Sequence, residues 1–196
     1  MEDRRRVEEI PEDYMYGVVN KSLKEMMINQ FGDERWQKVL DQSGVASDSF
    51  LSMRAYDDDV TYKLAQAAAD ELQIDLGDAL RAFGMHWVEH TAAKEYGTLM
   101  RATGGDMLSF LENLNGLHDR ISSTFLDYRP PSFVVDREAA DGVSVLYVSE
   151  RVGLTPFVEG LLNGLSAWFD ESMEILDIRP EAVDVGEKST FIVKML

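Results

Sequence analysis

Residues 143–151 read VSVLYVSER, and this run sets how the rest of the chain is interpreted. Val143, Val145 and Tyr147 alternate with their neighbours in a period of two, which predicts a strand over 143–149. Side chains two apart share a strand face, so Tyr147, Ser149 and Arg151 are expected to present three donors to one side. Convergent donors of this kind suit carboxylates, and the planar guanidinium fork suits them best. Moving outward, strands are expected at 132–136, 173–179 and 190–195, with a helix over 155–171. Upstream the period lengthens to that of helices at 18–30, 34–42, 59–72, 76–90, 96–103 and 107–125. Asp57 or Asp58 is available as the N-cap of the third. Helices first and strands later predict an α+β fold with a four-stranded antiparallel sheet.

His118 precedes Tyr147 by 29 residues, in LNGLHDRISSTF, and Pro131 follows it by thirteen. Leu111, Leu114, Leu117, Ile121 and Phe125 make its surroundings an apolar helix face, where an isolated histidine is ordinarily a core or surface residue. A neutral imidazole can also ligate a metal. One axial nitrogen together with a carboxylate clamp meets the needs of a haem, which has one iron and two propionates.

The chain has 196 residues, enough for one domain that buries roughly 70% of its unfolded surface. Its net charge is −17, from 36 acidic and 19 basic residues. Nucleic acid and anionic membrane surfaces are therefore not expected partners, since both call for a basic footprint. There is no cysteine, which excludes disulfides, thiolate-ligated haem and covalent haem attachment through C-x-x-C-H. No apolar run reaches the length of a membrane span. Residues 1–14 carry three arginines and no apolar core, so they do not read as a secretory signal. A cytoplasmic protein is expected, with residues 1–14 a poorly ordered extension of a single domain over 15–196.

A histidine followed thirteen residues later by proline, and then by Y-x-S-x-R, resembles the H-NOX family of haem–nitric oxide/oxygen-binding domains. The stretches MYGVVN at 15–20, YDDD at 56–59 with Thr61 and Tyr62, and RPPSF at 129–133 extend the likeness to about residues 15–196. It is closest in kind to stand-alone bacterial sensors related to the haem domain of soluble guanylate cyclase. The resemblance implies a helical lobe and a sheet-containing lobe with haem b held non-covalently between them. It further implies that His118 is the iron ligand, that Tyr147, Ser149 and Arg151 hold the propionates, and that Pro131 presses on and bends the haem. Asp58 would orient Arg151, although as a residue it could equally be the N-cap. Val19, Leu23, Trp87, Val88, Phe157 and Leu161 are expected to line the distal pocket. Oxygen-binding relatives place a tyrosine on the helix after Y-x-S-x-R; here Pro156 or Phe157 occupies that place, depending on alignment. The implied function is a sensor of nitric oxide and carbon monoxide that excludes oxygen, not an enzyme. Its implied mechanism is weakening of the His–iron bond, relaxation of the haem, and signalling to a separate histidine kinase or diguanylate cyclase, with no output domain fused.

Two other readings compete. His86-Trp87-Val88-Glu89-His90 matches H-x-x-E-H, a zinc metallopeptidase pattern that places two histidines one helical turn apart, with a glutamate as base. It needs a third ligand that no downstream motif supplies. The other is a haem-free interaction module, which would not require His118 and Y-x-S-x-R to stand together.

Overall fold

The computed structural model describes residues 14–46, 49–123, 128–140 and 142–196. β1 (Tyr14–Tyr16) leads directly into α1 (Gly17–Phe31), whose inner face buries Leu23, Met26 and Met27. α2 (Asp33–Ser43) carries Asp33 and Glu34 in its first turn, where acidic groups complement the helix dipole. It ends at Gly44, whose φ of 67° gives the left-handed cap that glycine accepts without strain. Trp36 and Val39 from this helix are fully enclosed, burial worth about 1.5–3 kcal/mol for a side chain of Val39's kind.

β2 (Ala55–Asp57) pairs antiparallel with β1, Tyr14 opposite Asp57 and Tyr16 opposite Ala55. α3 (Asp58–Leu72) follows at once, capped by Asp57, whose carboxylate accepts the Asp59 N–H at 2.9 Å. This two-strand ribbon is absent from the sequence reading, because three residues are too few to show a period of two.

α4 (Leu76–His86) does not stop where expected. It runs through a π-helical turn, Trp87–Ala92, into α5 (Ala93–Thr103). No glycine or proline lies between His90 and Tyr96 to end it, so the chain widens by one turn and continues. α6 (Met107–Ser122) is capped by Asp106 on the Ser109 N–H at 2.8 Å. The expected end of this helix at Phe125 lies outside the described residues.

β3 (Ser132–Asp136), β4 (Val143–Ser149), α7 (Thr155–Trp168), β5 (Met173–Glu181) and β6 (Glu187–Met195) complete the fold, and the four strands form an antiparallel sheet in the order β3-β4-β6-β5. The α+β class and the four-stranded sheet match expectation. α7 stops three residues before the expected 171 because Asp170 turns left-handed, with φ of 57°, and Ser166 Oγ donates to the Glu171 carbonyl at 2.6 Å. Two apolar cores result. One is formed by α1, α2, α3 and α4; the other lies between the sheet and the helices from the π-helical turn onward. No helix among the described residues is long and apolar enough to cross a membrane.

Glycines hold α4 against α7. A Cβ on Gly84 would come within 2.1 Å of the Phe157 carbonyl oxygen, and one on Gly160 within 2.1 Å of the Arg81 carbonyl oxygen. We predict that Gly84→Ala and Gly160→Ala each cost about 1–3 kcal/mol in urea unfolding, as overpacked contacts do. Gly116→Ala, in the open on α6, should instead gain up to about 1 kcal/mol from helix propensity. Equal effects at all three positions would contradict this account of the contact.

Candidate functional site

The apolar face of α6, with Met107, Phe110, Leu111, Leu114 and Leu117 buried, packs beside β3. Asn115 fixes the register between them: its Oδ1 accepts the Phe133 N–H at 2.9 Å and its Nδ2 donates to the Phe133 carbonyl at 2.7 Å. One turn on from Asn115 stands His118, and two residues before Phe133 stands Pro131. His118 Nδ1 therefore meets the Pro131 carbonyl at 3.1 Å. A carbonyl only accepts, so Nδ1 carries the proton and Nε2 keeps its lone pair for a metal. Burial lowers the imidazole pKa, against the opposing Pro131 hydrogen bond and the charge of Asp119. Burial thus favours the neutral ring, the form in which imidazole ligates a metal. Spacing alone had marked His118 and Pro131 as a pair; their direct contact and its Asn115 support were not visible there.

Tyr147 and Ser149 are buried on one face of β4. The expected third donor of that strand is placed differently. β4 ends at Ser149, and Arg151 lies in the turn beyond it, its N–H donating to Ser149 Oγ at 3.0 Å. Gly153, with φ of 79°, allows the reversal. Glu187, facing Ser149 across β6, accepts the Gly153 and Leu154 N–H groups at 2.7 and 2.9 Å. Burial drives the Tyr147 phenol well above the ordinary range. Glu187 has no local sequence signature that would have named it.

Arg151 reaches back across the molecule. Its Nε donates to Asp58 Oδ2 at 2.6 Å, one Nη to the Arg129 carbonyl at 2.7 Å and the other to the Tyr14 carbonyl at 2.6 Å. The two side chains of the ion pair are only 10% and 9% exposed. Asp57 supplies the N-cap, so neighbouring aspartates divide the two roles that the sequence left open. A fork of five donors has capacity beyond these three bonds, and its charge offsets that of a nearby carboxylate. Tyr62 adds another link from α3, donating to the Val152 carbonyl at 2.8 Å.

The six residues expected on the distal side flank the boundary between the two cores. Val19, Leu23 and Phe157 pack with the helical core, Val88 and Leu161 with the sheet core, and Trp87 with both. Phe157 stacks on Phe83 with ring centroids 5.2 Å apart, and Pro156 occupies the first turn of α7. Buried hydroxyls in the helical part are paired: Ser22 with Thr91 at 2.5 Å, and Thr61 with Asn20 at 2.6 Å.

The H-x-x-E-H stretch falls on the end of α4 and the π-helical turn. The His86 and His90 rings lie 4.5 Å apart. Burial, with a smaller contribution from His90, pushes His86 down to about 4. Among the described residues no three His, Cys, Asp or Glu side chains gather, so the pair lacks the third ligand that the zinc reading requires.

A sequence profile described as Haem-NO-binding matches residues 16–176 of the chain. The chain belongs to this family. It is similar to soluble guanylate cyclase gcy-31 of Caenorhabditis elegans, 26% identical over 84% of this chain and 24% of that protein. It is also 34% identical to guanylate cyclase soluble subunit beta-2 of Rattus norvegicus, over 56% of this chain and 16% of that one. The chain thus spans roughly a quarter or less of these curated relatives. A variant of the H-NOX protein from K. algicida, Fe(II) and unliganded, superposes with a TM-score of 0.77 at 25% identity, covering 93% of this chain and 97% of that chain. An H-NOX protein from S. oneidensis in the Fe(II)NO ligation state gives 0.73 at 20% identity, over 93% and 99%. The H-NOX family is one of haem-binding sensor domains rather than catalytic ones, and the arrangement around His118 and Arg151 fits that cofactor.

Removing Asp58 leaves a nearly buried guanidinium without its counter-charge, which is far costlier than losing a surface pair. Asp58→Ala should lower the unfolding free energy by about 3–5 kcal/mol in urea titrations, whereas Lys63→Ala, which breaks the exposed pair with Asp59, should change it by less than about 1 kcal/mol. Similar losses in the two variants would show that the Arg151 pair is not a structural anchor.

Proposed function

We propose that this H-NOX protein senses nitric oxide, and also takes up carbon monoxide, at a ferrous haem while excluding oxygen. The observation that carries the reading is His118, with Nδ1 engaged by Pro131 and Nε2 left as the axial donor. When bound, haem supplies the iron that takes the gas. Tyr147, Ser149 and Arg151 hold the propionates, and Arg151 supplies their positive charge. Pro131 is a rigid wedge without an N–H that would press on a bound haem, and its carbonyl holds the His118 imidazole in orientation. Val19, Leu23, Trp87, Val88, Phe157 and Leu161 form the distal wall.

Selectivity follows from that wall. Bound oxygen carries partial negative charge and needs a donor, whereas nitric oxide and carbon monoxide depend on one far less. Pro156 and Phe157, at the start of α7, offer no hydroxyl. Trp87 brings an indole N–H, but its packing against both cores supports an apolar role.

Signalling rests on His118. It would hold the haem iron, and with its Nδ1 on the Pro131 carbonyl it would pass a gas-dependent change at the haem to α6 and to the segment before β3, so that the helical part would shift against the sheet. Such a shift acts only if a partner binds the two states differently. We assign the output to a separate histidine kinase or diguanylate cyclase.

Absorption spectra of the reduced protein test the reading. A Soret band that shifts with nitric oxide and with carbon monoxide, and stays unchanged in air until oxidation, is expected. Phe157→Tyr should create a measurable oxygen complex. A stable ferrous–oxygen spectrum in the unmodified protein would overturn the selectivity, and protein that takes up no haem would overturn the whole reading.

A further inference from the structure

Residues 128–131 touch both ends of the site. The Tyr128 ring meets the His118 ring at 6.0 Å between centroids, nearly perpendicular at 81°. It also meets the ring of Tyr16 of β1, again at 6.0 Å and tilted by 60°. The Arg129 carbonyl is held by Arg151, and the Pro131 carbonyl by His118 Nδ1. Arg151 grips the Tyr14 carbonyl with its other Nη. Two consecutive prolines, Pro130 and Pro131, fix φ through half of this short segment, so it resists bending between its ends.

We propose that Tyr128 is a positioning residue that couples the axial histidine to the Arg151–β1 clamp, with residues 128–131 acting as a strap. The inference rests on His118 being the iron ligand, as argued above. An edge-to-face contact has a preferred geometry, and close-packed interiors transmit displacement rather than absorb it. Rotation of the His118 imidazole therefore displaces the phenol ring. The phenol ring in turn bears on Tyr16, which is itself paired with Ala55 of β2 and lies two residues from the Tyr14 carbonyl. Gas-dependent movement at iron would reach the helical part by this route, in addition to any route through the haem itself. None of these contacts is local in sequence: Tyr16 and Tyr128 are brought together only by the fold.

Intermediate position alone does not establish coupling; a double-mutant comparison does. The probe is the iron–histidine stretching band in the resonance Raman spectrum of the ferrous, haem-loaded protein. Tyr16→Leu, which removes no contact of His118 itself, should move the band by a few wavenumbers. In a Tyr128→Leu background, where apolar volume is kept but the ring is lost, Tyr16→Leu should add no further shift. Tyr128→Phe keeps the ring and should behave as the parent. A band unmoved by Tyr16→Leu, or moved equally with and without the Tyr128 ring, overturns the strap. Absence of any iron–histidine band in the unmodified protein overturns the ligand assignment and the strap with it. A Soret band of normal intensity in each variant shows that the fold and the cofactor are retained.

Discussion

The buried pair between Arg151 and Asp58 is the constraint on which the rest depends. Charges this enclosed are expensive to desolvate, and their attraction compensates only with good geometry and further hydrogen bonds. Both conditions are met: the Nε–Oδ2 separation is 2.6 Å, and carbonyls from residues 14 and 129 take up two more donors. Four segments distant in sequence are thereby joined at one guanidinium: the N-terminal strand, the start of α3, the stretch before β3, and the turn after β4. The last of these is shaped in turn by Glu187 and Gly153. A positive charge held in this way is also ready to meet a carboxylate from a cofactor without reorganising, which is why a structural anchor and a binding group can be the same residue.

The opposite side of the site depends on closeness rather than charge. Gly84 and Gly160 let the backbones of α4 and α7 approach to a distance no side chain would permit. That contact, supported by the Arg81–Glu159 ion pair at 2.6 Å, brings Phe157 against Phe83 and sets Trp87 between the two cores. The apolar character of the wall follows from what two helices can bury when they pack this tightly. Its lack of a tyrosine is a property of the α7 sequence, and it is what tilts the reading toward nitric oxide.

Much of this was legible in the chain because periodicity is a local property. The change from a period of 3.6 to a period of two separated the helices from the strands, and the spacing from His118 to Pro131 marked two residues that the fold brings into contact. What was not legible depends on partners far apart in sequence. Asn115 reads the backbone of Phe133, Glu187 caps the turn after β4, and Tyr128 sits between Tyr16 and His118; none of these leaves a pattern in its own neighbourhood. Arg151 was expected on the face that Tyr147 and Ser149 share, whereas the strand ends at Ser149 and Arg151 lies in the turn beyond it. The π-helical turn was missed for a related reason: a helix that changes its winding leaves the same apolar spacing for a few residues on either side.

The central claim is that His118 supplies the axial nitrogen, and the most direct measurement is the absorption spectrum of His118→Gly protein with and without added imidazole. Glycine leaves room for a free imidazole where the side chain stood. The account predicts little bound haem, or a spectrum without a histidine ligand, in the variant alone, and recovery of the parent spectrum when imidazole is added. Haem held as in the parent, with the same spectrum and no response to imidazole, would show that another residue ligates the iron.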